Sequence, residues 1–105
     1  MDVTERARQR AAVVNGLRRW ALGAPSDQAA VELLARCFSG RYVRPGVAWV
    51  RPCARPGWYW LDGDALAAYA DTVTGEERRV LTLAAVLLGA DPVARPEIDS
   101  GRAAA

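Results

Sequence analysis

Arginine and the large aromatic residues carry most of the chemistry open to this chain. Residues 33–61 contain Arg36, Arg41, Arg44, Arg51 and Arg55 and no acid, a segment charge of +5. The same segment holds Trp49, Trp58, Trp60, Tyr42 and Tyr59. A guanidinium fork grips carboxylate or phosphate through paired donors, and an aromatic ring gives a rigid apolar anchor. Both types are enriched at binding hot spots, and both stack on nucleic-acid bases. The expected partner-binding residues are therefore Arg41, Arg44, Trp49, Arg51, Arg55, Trp58, Tyr59 and Trp60. A second set, Arg6, Arg10, Arg18 and Arg19, lies in the N-terminal stretch and could touch phosphates, each contact adding salt-dependent affinity without specificity.

Catalysis is poorly provided for. All 14 basic residues are arginine, and histidine and lysine are absent from the 105 residues. Without histidine the commonest general base and metal ligand is missing; without lysine there is no Schiff base and no P-loop ammonium. Ser26, Ser39 and Cys37 have no imidazole to activate them. Asp62, Asp64, Glu76 and Glu77 stand where helix capping explains them better than acid–base work. Cys37 and Cys53 alone cannot build a four-ligand zinc site. They read as small buried thiols of a reduced protein, or as one disulfide. No catalytic residue, metal or cofactor is expected.

The arginine total itself needs a discount. Alanine occurs 21 times, while isoleucine appears only as Ile98 and asparagine only as Asn15. This is the bias of a GC-rich genome, bacterial or phage, in which arginine is partly a coding habit. Placement matters more than number. Residues 1–32 carry a net +1 and residues 62–105 a net −4, so the basic middle could also pair with acids of the same molecule.

These side chains must be positioned by a small number of elements. A chain of this length buries about 65% of its unfolded surface in one core. Ala7, Ala11, Val14, Leu17 and Ala21 set a helical stripe over 4–22, with Thr4 as N-cap and Asn15-Gly16 as a possible break. Pro25-Ser26-Asp27 opens a second helix, 26–38, stopped by Gly40. Pro45-Gly46 is a turn; strands over 47–51 and 58–61 then form a hairpin. Asp62 caps a short helix bearing Leu66 and Tyr69. Thr74 and Glu77 form a capping box for a helix over 75–88, apolar nearly all round, which belongs in the core or in a homodimer through Val80–Leu88. A helix-turn-helix made of the last two helices is disfavoured, since only Thr82 adds a polar side chain beyond the leading charges.

The expected fold is α+β, a small single domain in the order α-α-β-β-α-α, its helices packed with one short antiparallel hairpin. It spans 1–92, with a frayed or disordered tail over 93–105. No signal peptide and no membrane span is visible, so the expected location is cytoplasmic. The expected function is non-enzymatic: a regulator or inhibitor that binds a protein through the Arg/Trp hairpin. Nucleic-acid binding through 36–60 and the N-terminal arginines is the alternative, and a homo-oligomeric structural protein a second.

Overall fold

In the computed structural model, residues 2–90 are described. Helix α1 runs Val3–Trp20, α2 Pro25–Arg36, strand β1 Val50–Pro52, β2 Tyr59–Leu61, α3 Gly63–Ala70 and α4 Gly75–Leu87. The order is α-α-β-β-α-α, as the periodicity implies. A 3₁₀ turn, Cys37–Gly40, follows α2. The expected tail, 93–105, lies outside the described residues.

The starts of the helices differ from expectation in instructive ways. α1 is capped by Asp2, whose Oδ1 accepts from the Glu5 amide at 2.8 Å, and not by Thr4. α2 uses Pro25 in its first turn, and neither Ser26 nor Asp27 caps it; its N-cap is Ala24, with no side-chain bond. Asp62 caps α3 as expected, accepting from the amides of Asp64 and Ala65 at 3.1 and 3.2 Å. Thr74 is the N-cap of α4 but makes no side-chain capping bond. The capping box is absent because Glu77 turns to Arg41 instead of reaching back.

Asn15-Gly16 neither ends nor kinks α1, which continues to Trp20. Gly16 is buried because the hairpin loop presses on it: a Cβ there would lie 2.4 Å from the Gly57 carbonyl oxygen. The hairpin is shorter than its apolar pattern suggests. Val50 pairs with Leu61, Arg51 with Trp60 and Pro52 with Tyr59, antiparallel. The Val50 amide bonds back to the Val47 carbonyl, so residues 47–49 turn before the ladder begins.

The core is built from Leu17, Leu34, Leu66 and Leu81 with Val13, Val31 and Val43, and α4 packs on both α2 and α3. No polar or charged residue is buried among the described residues. On α4, Leu81, Ala84 and Ala85 face inward, whereas Leu83 and Val86 remain exposed. Its apolar residues therefore divide between two faces. Both cysteines are half-buried free thiols. No helix among the described residues is long and apolar enough to cross a membrane.

Candidate functional site

α2 ends at Arg36 and the backbone then turns over sharply. Phe38 and Ser39 adopt left-handed angles (φ 52° and 57°), followed by Gly40 at φ 72°. This turn delivers Arg41 and Tyr42 to a cluster of rings. Tyr42 and Trp49 are buried, at 6% and 4% exposure. The indole Nε1 of Trp49 donates to the Tyr42 carbonyl oxygen at 2.8 Å, so its one polar atom is matched within the fold. Tyr69 of α3 lies 4.9 Å from Trp49 between ring centroids and 6.2 Å from Tyr42. Phe38 meets Tyr42 edge-on at 5.8 Å. These are separations at which aromatic pairs contribute beyond simple burial.

Above the rings is a cleft of about 640 Å³, lined by Arg41, Tyr42, Arg44, Val47, Trp49 and Tyr69, with Glu77 at its wall. Arg41 lies over both Tyr42 (5.2 Å to the centroid) and Phe38 (5.8 Å) and donates to the Tyr42 hydroxyl. It also forms an ion pair with Glu77. Arg44, on the same rim, is exposed and makes no ion pair among the described residues. A second cleft, about 400 Å³, adjoins the first through Arg44 and Val47, its other wall being Arg6, Gln9 and Arg10 of α1.

The structure thus gathers part of the expected site and disperses the rest. Arg41 and Arg44 share one cleft, but Trp49 is its buried floor and not an exposed anchor. Arg51 is paired with Asp62 at 2.9 Å, an intramolecular match between the basic middle and an acid of the C-terminal third. Arg55 stacks on Trp58 at the hairpin loop, 4.7 Å to the ring centroid. Tyr59 is half-buried beside Gly16 of α1 and serves packing. Trp60 is exposed, but it lines another cleft, with Trp20, Asp27 and Asp64. The expected eight-residue surface is therefore not continuous.

The N-terminal arginines divide in the same way. Arg18 grips Glu32 of α2 with two bonds, Nε to Oε2 at 2.7 Å and Nη2 to Oε1 at 2.9 Å. This hydrogen bonding holds the Glu32 carboxyl below its ordinary range and raises Arg18. Arg19 stays exposed, whereas Arg6 and Arg10 line the same cleft as Arg44.

No family model, curated protein or solved structure matches this chain. The geometry is the ground for any functional reading. Among the described residues, no three of the Cys, Asp and Glu side chains are grouped to hold a metal ion. What the arrangement can do chemically is recognise: one wide aromatic cleft with a guanidinium on its rim, and one narrower cleft walled by guanidiniums.

Two contributors escaped the sequence. Tyr69 reads only as the apolar side of α3, and its spacing from Leu66 could not show that Trp49 is opposite. Glu77 reads as a capping acid, and nothing local signals a partner at Arg41.

Proposed function

We propose that this chain is a small non-enzymatic binding protein, a regulator or inhibitor that holds an acidic segment of a protein partner against the Arg44 rim of the aromatic cleft. The observation that supports this reading is the pairing of an ion-pair-free Arg44 with the exposed edge of Tyr69 and the half-buried Val47 in one cleft of about 640 Å³. An apolar anchor can enter such a cleft while a carboxylate meets the guanidinium. Neighbouring Arg41 is already matched by Glu77, so specificity rests on Arg44. A duplex or extended strand would need a track of unmatched cations. Several arginines expected to form that track, Arg18, Arg41 and Arg51, face carboxylates of the same molecule.

Affinity capture from nuclease-treated extract of the source cells tests this. Arg44→Glu reverses the rim charge at an exposed position and is expected to abolish capture, with stability changed by no more than about 0.5 kcal/mol. Arg55→Glu, at the hairpin loop, is expected to capture normally. Capture that survives Arg44→Glu, or that vanishes after nuclease treatment, overturns the reading.

A further inference from the structure

The narrower cleft brings together residues that the sequence keeps far apart. Arg10 stands in the middle of α1 and Arg44 in the turn before the hairpin, yet both line this space of about 400 Å³ with Arg6 and Gln9. The turn that carries Arg44 is set by Gly46, at φ 95°. The stem of Arg10 runs beside Gly40, where an added Cβ would lie 3.1 Å from its Cδ. None of the residues lining the cleft is acidic. That is unusual within this molecule, where Arg8, Arg18, Arg36, Arg41, Arg51, Arg78 and Arg79 all stand within ion-pair distance of a carboxylate. Arg10 and Arg44 have no such partner among the described residues, and they flank one cavity.

We infer that the cleft between Arg10 and Arg44 is a binding site for a phosphate monoester, carried by a side chain of the protein partner. The partner's being a protein rests on the reading above; the anion site itself stands on the cleft. A carboxylate accepts in one plane and is well served by the fork of one guanidinium, as both oxygens of Glu32 are by Arg18. Guanidiniums brought to the lining of one cleft by different elements suit a tetrahedral group whose oxygens accept from several directions. The monoester carries about −1.5 to −2 charge at neutral pH, against −1 for a phosphodiester. The site is also a single focus beside an aromatic cleft, which fits one phosphorylated residue with an apolar neighbour better than a nucleic-acid backbone.

The full chain titrated with inorganic phosphate at constant ionic strength, followed by the arginine Nε–Hε NMR signals, tests the site. Saturable shifts of the Arg10 and Arg44 signals are expected, with binding several-fold tighter at about pH 7.5 than at about pH 5, since the second phosphate ionisation lies near pH 6. Arg10→Gln should weaken binding about tenfold or more, and chloride should give no saturable shift. Absence of saturation, the same response to chloride, or full binding by Arg10→Gln overturns the site. A second arm compares one peptide with phosphoserine, the same peptide with serine, and a short single-stranded oligonucleotide. Preference for the phosphopeptide is expected; tighter binding of the oligonucleotide overturns the assignment to a protein segment. Arg10 does not line the aromatic cleft, so an Arg10→Gln variant that loses phosphate binding yet captures the partner fully overturns this inference alone, while loss of capture with Arg44→Glu and not with Arg55→Glu still supports the proposed function.

Discussion

Phe38 and Ser39 hold left-handed backbone angles with side chains attached, a conformation that costs a non-glycine residue roughly 1–2 kcal/mol. The surrounding structure maintains it because Phe38 is packed on Tyr42 and because Gly40 must continue the turn. Ser39 is exposed and makes no bond that would resist its removal. Ser39→Gly is therefore expected to stabilise the protein by about 0.5–1 kcal/mol, the relief of strain exceeding the entropy that glycine adds to the unfolded chain. Urea unfolding of the pair of proteins measures this, and a lower midpoint for the glycine variant would contradict it. At this scale the sequence was partly readable. Asp62 announces its capping role by standing just before an apolar helix. Asp2 and Glu77 do not announce theirs, since one is displaced by a better-looking threonine and the other bonds across 36 residues.

Elements were legible wherever apolar spacing was regular, and their ends were not. α1 and α4 follow the three- and four-residue stripe closely, but the strand expected over 47–51 begins only at Val50. Alternation in Val47–Arg51 reads as a strand face, yet Trp49 is drawn into the ring cluster and Val50 bonds to Val47. Tertiary packing overrode the local pattern there. The same competition governs Gly16. In an exposed helix, replacing glycine by alanine adds about 1 kcal/mol of stability. Here the added methyl would collide with the Gly57 carbonyl and the Tyr59 ring, at 2.4 and 2.8 Å. Gly16→Ala is thus expected to destabilise by about 1–3 kcal/mol, a fall in melting temperature of about 4–8 °C per kcal/mol for a domain of this size. A scanning-calorimetry trace with an unchanged or higher midpoint would show that the hairpin loop yields.

Among the described residues, seven of the twelve arginines stand within ion-pair distance of a carboxylate, and this shapes how stability responds to acid. Glu32 joins α2 to α1 through Arg18 and also faces Arg36. Its folded-state pKa lies below the unfolded value, so the contribution is present above the unfolded pKa and is lost as pH falls through the folded one. The pair is partly exposed, which limits the effect to at most about 1 kcal/mol. Between about pH 6 and about pH 3, the wild type should lose more stability than Glu32→Gln, as chemical unfolding at each pH would show. Parallel acid limbs would mean that the bidentate contact contributes nothing in solution. Composition revealed the basic middle and the acidic C-terminal third, but not which arginines would find acids. That outcome depends on contacts between distant segments, such as Arg41 with Glu77, and one-dimensional order does not encode them.

The hairpin register carries a consequence for how other chains can approach. The backbone bonds that flank the ladder, from the Asp62 amide to the Trp49 carbonyl and from the Cys53 amide to the Trp58 carbonyl, run across the hairpin. Val50 and Pro52 therefore present the outer edge of β1. The Val50 amide is already bonded to Val47, and Pro52 has no amide at all. That edge offers an incoming strand no donor, so it resists extension by a third strand and the edge-to-edge stacking that precedes fibril growth. A chain approaching this edge finds only carbonyl acceptors and side chains to bind.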